Sequence, residues 1–462
     1  MKRQIIFGIA ILILTTQQAC FVARDYTRPE MFDEIGFRTD TASMDTLTMA
    51  TIAWRDFFTD PLLQSYIDEG LQNNLDIRIA LTRIDAAEAW LKQGKAGQLP
   101  TLNTHLSASH FELSKNGQSR GVGSGNVFEL GTGLSWEADI WGKIRSTRRA
   151  YQASYLQSQA AHQAVKTRLI AGIATLYYNL LSIDEQMEIT QETIENRKRS
   201  LQTAIALKNA GNGTEADVKQ TEAQLYTAQA ILIDLQQQAR LYENALSLLL
   251  GSPPRPLARN TFDDQIVDTV LLTGVPLQLL GNRPDILAAE YNLINAFELT
   301  NVARSNFYPS LTLSASAGLQ SLELQNLFSL NSLFANIVGG LAQPLLNGRR
   351  IRTQYEVSQA KQEQARLQYL QTFLTATADV SDALYSFEAT TEKIAVKQKE
   401  FEAYNDAVRY SEALVNNGLA NYLQVLIARE RSLASSLTLA ENKSTRLKYL
   451  VQLYEALGGG WK

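Results

Sequence analysis

Residues 282–318 read NRPDILAAEYNLINAFELTNVARSNFYPSLTLSASAG, and the pattern changes period halfway. From Asp285 to Asn306, apolar or small residues recur at helical spacing: Ile286, Ala289, Leu293, Ala296, Leu299 and Val302. Pro309 blocks that helix, because it lacks an N–H and steers Tyr308 away from helical angles. Beyond it Leu311, Leu313, Ala315 and Ala317 alternate with Ser310, Thr312, Ser314 and Ser316, the period of a half-buried strand. A second copy lies at Leu75–Ser109, LDIRIALTRIDAAEAWLKQGKAGQLPTLNTHLSAS. Asp76 matches Asp285 and Pro100 matches Pro309 at one offset (285 − 76 = 309 − 100 = 209). The chain is built twice around helix, proline and strand.

Working outward, residues 101–141 predict two strands joined by the glycine-rich polar loop Lys115–Gly125, and 310–345 predict the matching pair. A helix from Ile144 to about Leu207 follows the first pair; some 60 residues at 1.5 Å each would extend about 90 Å. It breaks at Asn209–Gly213, and a returning helix runs from Glu215 to Leu250. That helix carries a heptad, with Val218, Leu225, Leu232, Ala239 and Leu246 at one position and Thr221, Ala228, Leu235, Tyr242 and Leu249 at the other, the pattern of coiled-coil-like packing. After the second pair the same elements recur: a helix from Ile351 to about Val415, a break at Asn416–Gly418, and a return to Leu457 with a looser heptad at Leu426, Leu433, Ala440, Leu447 and Tyr454. Gly211 and Gly418, and Gly251 and Gly458, share an offset of 207 (418 − 211), so the copies differ by two residues inside the strand region. The organisation expected is a signal segment 1–19, an extended arm 20–59, a first repeat 60–251, a connector 252–281, a second repeat 282–458 and a tail 459–462.

The formal net charge of −4 becomes 41 − 47 = −6 without Lys2 and Arg3, which gives no support for nucleic-acid binding. Three histidines (His105, His110, His162) and one cysteine predict no metal cluster, no disulfide framework and no cofactor. The serine-rich strands hold no partnered nucleophile, and the loop at 115–125 does not lead from a strand into a helix as a phosphate loop would; the chain is not read as an enzyme. Lys2-Arg3, the apolar run Ile5–Leu14 and Thr15–Ala19 form a tripartite signal, too short to span a bilayer. Cys20 sits at the cleavage point and resembles the acylated residue of a bacterial lipoprotein, although Gln17 stands where leucine is usual; ordinary cleavage nearby is the alternative.

Four alternating strands in a secreted chain suggest a membrane sheet. Open strand edges cannot sit in lipid, and four strands are too few to close, so copies must combine; three would give twelve strands. Trp136 and Trp141, followed by Arg145, suit a membrane–water boundary, and Arg352 holds the matching place in the second copy.

At this point the text DYTRP, WRDFFTDPLL, NRPDI, ENALSLLLG and LYEALGGGW, with its paired NAG and NNG breaks, resembles the TolC-like outer membrane factors, specifically the NodT/OprM-type efflux lipoproteins. The resemblance implies a homotrimer with a twelve-stranded outer-membrane barrel continued by a long α-helical barrel in the periplasm. It implies a passive exit duct for small molecules, joined through a periplasmic adaptor to an inner-membrane resistance–nodulation–division transporter. The exit duct of a type I protein-secretion system is the alternative, and a lipid-anchored periplasmic coiled-coil scaffold is a third. On the matching motifs, Asn209, Gly211, Asn417 and Gly418 would be the adaptor-docking turns. Leu423 matches an inward apolar residue at the periplasmic aperture; Ile427 stands where the family often has an aspartate, and Asp217 is the nearest other acid. Pro100 and Pro309 would mark the helix-to-strand junction.

Overall fold

The computed structural model describes residues 22–30, 48–114, 116, 124–262, 265, 278–420 and 422–461. The signal segment and Cys20 lie outside the described residues, as do 31–47 of the arm and nearly all of 263–277 in the connector. The chain divides into two compact units, residues 1–30, 84–158 and 289–369, and residues 31–83, 159–288 and 370–462.

The elements come in matched pairs. Helices α1 (Pro61–Asn73) and α2 (Leu75–Ala96) lead to β1 (Thr101–Glu112) and β2 (Ser124–Ala138), then α3 (Lys143–Asn209) and α4 (Glu215–Leu249). The second set is α5 (Pro284–Ser305), β3 (Ser310–Ser321), β4 (Leu333–Ala342), α6 (Arg350–Asn416) and α7 (Tyr422–Ala456). Helices α3 and α6 are each 67 residues long, α4 and α7 each 35, and α2 and α5 each 22. The break at Asn73–Asn74 is a helix cap: Asn74 Oδ1 accepts from the amides of Asp76 (2.9 Å) and Ile77 (3.2 Å), satisfying donors that the first turn of α2 leaves open.

In the first unit the strands form one antiparallel meander in the order β1-β2-β3-β4. The two hairpins are therefore joined by β2 pairing with β3 across the repeat boundary, with Gly131 opposite Gly318. A Cβ at Gly318 would lie 2.2 Å from Leu130 O, so only glycine permits that approach. Helix α5 is fixed to α3 by Asn295 Nδ2 donating to Ala150 O (2.8 Å) and by the Arg149–Glu298 ion pair (2.7 Å).

In the second unit the returning helices bury their heptads. Seven of the ten α4 positions are buried and Leu232, Tyr242 and Leu249 are half-buried, while all five α7 positions are buried. The α7 stripe is kept more completely than its sequence suggests. Asp60, the N-cap of α1, is buried at a hub where its carboxylate accepts from Tyr177 Oη (2.7 Å), Asn260 Nδ2 (2.9 Å) and Gln265 Nε2 (2.7 Å). Residues 48–58 depart from an extended arm. They hold a 3-10 turn, Met49–Thr51, and a short helix, Trp54–Phe57, and Phe57 stacks on Tyr454 with centroids 4.1 Å apart. The run is too short for a period, but its aromatic area makes burial favourable.

All four long-helix turns and ends share one geometry. Gly211, Gly251, Gly418 and Gly458 have φ of +78°, +70°, +69° and +92°. The next residue's amide bonds back five positions in each case: Asn212 to Leu207 O, Ser252 to Ser247 O, Leu419 to Leu414 O and Gly459 to Tyr454 O. This is the Schellman arrangement, which satisfies carbonyls that a helix end leaves open.

Candidate functional site

The sheet has two chemically distinct faces. Cross-strand partners share a face, so the register decides membership. One face carries Leu102, Leu106, Leu130, Leu134, Trp136, Leu311, Leu313, Leu319, Leu333, Ile337 and Leu341. The other carries Asn103, His105, Ser107, Glu129, Ser135, Thr312, Ser314, Ser316, Gln320 and Asn336, with the glycines of β2 and β3. Among the described residues nothing covers the apolar face: Leu106 is 74% exposed, Ile337 75% and Leu341 69%. The outer edges of β1 and β4 likewise pair with no other strand of the sheet. An uncovered apolar face beside an alternating polar one is what a membrane barrel strand presents to lipid and lumen.

The helix-to-strand junction is held by aromatic and polar contacts. Trp141 Nε1 donates to Pro309 O (2.7 Å), and its ring stacks on Tyr308 with centroids 4.9 Å apart. Trp136 lies on the apolar face and donates to Gln98 O (3.0 Å), two residues before Pro100. Arg145 pairs with Asp139 (3.0 Å), whose oxygens also accept from the amides of Ile144 and Arg145 and so cap α3. Arg352 is exposed and lies 3.6 Å from Glu356. Arg349 stands beside it and pairs with the same Glu356 (3.0 Å). Arg349 has φ +66°, at the place where the first copy has Gly142 with φ +79° (349 − 142 = 207).

The described arm runs antiparallel to α5. Val22 O accepts from Arg304, Arg24 exchanges two bonds with Asn301 (3.1 and 3.0 Å), the Tyr26 and Phe297 rings meet edge-on at 5.7 Å, and Arg28 makes a bidentate pair with Glu290 (2.7 Å each). Sequence reasoning missed these contacts. Partners separated by more than 260 residues leave no local pattern.

Both helix turns are exposed at Asn209, Gly211, Asn417 and Gly418. Asn417 Nδ2 donates to Ala413 O (2.7 Å), and Lys208 pairs with Glu215 across the first turn. Nothing lies within 4 Å of a Cβ built on Gly211 or Gly418, so each turn offers an open surface. Asp217 has a task of its own. Its Oδ2 accepts from the Thr214 amide (2.8 Å) and hydroxyl (2.7 Å), while its amide donates to Thr214 Oγ1 (3.2 Å). Those hydrogen bonds, the hydroxyl's first, hold the carboxyl below the usual carboxylate range. The Thr-x-x-Asp spacing is the signal that marks this capping box. Leu423 and Ile427 lie one turn apart on α7, 41% and 50% exposed.

Among the described residues no group of three or more His, Cys, Asp or Glu side chains is placed to hold a metal ion, and no helix is long and apolar enough to cross a membrane. The duplicated helices and the two-faced sheet define a membrane exit channel class, and the comparisons agree. The chain belongs to the outer membrane efflux protein family, which matches residues 66–252 and 275–459. It is similar to the cation efflux system protein CusC of Escherichia coli O6:H1, 29% identical over 451 residues and 96% of both chains. It is similar to the solvent efflux pump outer membrane protein SrpC of Pseudomonas putida, 28% identical over 452 residues and 96% of both. Among solved structures it is similar to the open state of the Neisseria gonorrhoeae MtrE outer membrane channel, with TM-score 0.85, 27% identity, and 96% and 99% of the two chains covered.

Proposed function

We propose that three copies of this chain form the passive outer-membrane exit duct of a tripartite efflux system. The carrying observation is the sheet: one uncovered apolar face, one polar face and two free edges. In lipid each unpaired backbone group costs several kcal/mol, so β4 of one copy pairs with β1 of the next until the ring closes. The duplication supports the same head-to-tail order. Ala150 is 1% exposed beneath α5, whereas its repeat partner Val357 (357 − 150 = 207) is 46% exposed beside a groove of about 600 Å³ between α5 and α6. The repeat partner of Asn295, whose side-chain amide donates to Ala150 O, is Ala86 (295 − 86 = 209) on α2. Ala86 lies on a helix whose Leu75, Ile79 and Trp90 are exposed at the same spacing. Helix α2 of a neighbouring copy fits the groove as α5 fits α3, a heterologous contact that closes into a ring. Planar-bilayer recording on the detergent-extracted protein tests the reading. Stable pores are expected, and a purified oligomer that forms none sinks it.

The substrates are small molecules delivered by a proton-driven inner-membrane transporter through a periplasmic adaptor; relatives named for cations and for solvents leave the compound class open. The turns at Asn209–Gly211 and Asn417–Gly418 are the adaptor-docking surface, and Leu423 and Ile427 give the periplasmic aperture an apolar lining. Cys20 carries the lipid. Val22 is bonded to Arg304, four residues before Tyr308 at the strand junction, and Ala23 packs beside Gly142. An acyl chain two residues earlier enters the bilayer at the foot of the sheet. Labelling cells with a radioactive fatty acid should mark the wild-type chain and spare Cys20→Ser; equal label in both would refute the anchor.

A further inference from the structure

The polar face of the sheet carries very little charge. Among the described strand residues on that face, the ionisable side chains are His105 on β1 and Glu129 and Glu137 on β2; β3 and β4 contribute none. Glu137, at the α3 end of β2, is neutralised by Lys143, whose Nζ lies 3.0 and 3.2 Å from its two oxygens. His110 and Glu112 belong to the opposite face. Glu129 stands apart, eight residues earlier in β2, with Val127 and Gly131 beside it and Ser107 and Gln320 across from it.

Glu129 sits in a built setting that uses three strands. Gln320, directly across on β3, donates from Nε2 to Glu129 Oε2 (3.1 Å). His105, diagonal on β1, places Nε2 2.8 Å from Oε1. An ionised carboxylate only accepts, so that imidazole nitrogen carries the proton and donates. The diagonal reach depends on Gly131, the residue opposite His105: a Cβ there would lie 2.7 Å from His105 Cε1 and 3.2 Å from Glu129 Oε1. Both carboxylate oxygens are thus held while the side chain stays 23% exposed to the water side.

We propose that Glu129, oriented by His105 and Gln320, is a cation-selecting element on the wall of the duct. The inference rests on the barrel reading above, in which the polar face lines water. Ionisable groups inside a membrane segment are expensive and mark permeation paths. In a closed ring each copy brings one such pair to the same height, giving a ring of fixed negative charge of the kind that selects cations. The ligand class is small hydrated cations in transit.

Reversal potentials of the full-length protein in planar bilayers across a KCl gradient test this at pH 8. At pH 8 the wild type should prefer potassium over chloride, and Glu129→Gln should lower that permeability ratio about twofold or more. Gln320→Lys, which sets a cation directly across from Glu129, should move the ratio in the same direction. Pores whose ratio is the same in wild type and Glu129→Gln at pH 8 overturn the inference. If Glu129→Gln fails to assemble, a ratio unchanged from wild type in Gln320→Lys overturns it instead. A wild type that makes no pore at all overturns the barrel reading and this inference with it.

Discussion

Gly458→Ala should destabilise the protein by about 3 kcal/mol or more, because two separate penalties fall on one methyl group. Its φ of +92° belongs to the left-handed region, where an L side chain costs roughly 1–2 kcal/mol. The new Cβ would also stand 2.5 Å from Asn282 O and 2.9 Å from Arg283 N, which are backbone atoms with no rotamer to yield. The first copy repeats the arrangement. Gly251 has φ +70° and its Cβ would lie 2.4 Å from Asn73 O, with Asn73 and Asn282 related by the offset 209 (282 − 73). Gly418→Ala is the internal control. Its φ, +69°, is likewise left-handed, but there is open space where the methyl would go, so only the conformational part is lost, about 1–2 kcal/mol. Circular-dichroism melting of the extracted protein should therefore rank wild type, then Gly418→Ala, with Gly251→Ala and Gly458→Ala well below. Equal melting of Gly418→Ala and Gly458→Ala would show that the packing part is misjudged. The same control serves the docking proposal. A Gly418→Ala chain that folds, reaches the membrane and exports as well as wild type alongside Gly211→Ala argues against these turns as the adaptor surface.

Those glycines also show what is legible in the sequence alone. A helix end leaves local marks, so Asn209–Gly213 and Asn416–Gly418 could be read as turns, and the period change at Pro309 could be read as a strand start. Face membership was legible for the same reason, because alternation in β2 and β3 is a local property. What the sequence hid was partnership. Nothing local says that β2 pairs with β3, since Gly131 and Gly318 matter to each other only across 187 residues (318 − 131). Arg28 and Glu290 are silent in the same way until the arm is laid along α5. His105, taken alone, was an ordinary barrel histidine; it acquires a role from the diagonal to Glu129 and the gap at Gly131. Asp217 went the other way. Read as the nearest acid to the aperture, it proves to be the closing half of a capping box with Thr214, a signal present in the spacing.

Ile337→Arg should abolish the assembled duct while Asn336→Arg leaves it standing, although the two positions are adjacent and both exposed. Ile337 lies mid-strand on the apolar face, opposite Ala315, and Asn336 on the polar face, opposite Ser316. In water the charge at Ile337 would be welcome: the side chain is 75% exposed, so the substitution removes almost no packing and relieves an apolar surface. In a bilayer the same charge costs about 2–4 kcal/mol near the midplane, once in every copy of the ring. The outcome thus separates a membrane sheet from a sheet folded in the periplasm, where Ile337→Arg would be neutral or stabilising. Outer-membrane fractionation followed by gel analysis of unheated samples reads it directly. Loss of the heat-sensitive oligomer in Ile337→Arg with retention in Asn336→Arg is the expected pair. Equal retention in both would mean the apolar face meets no lipid, and the reversed pair would mean that the faces point opposite to the assignment made from the register.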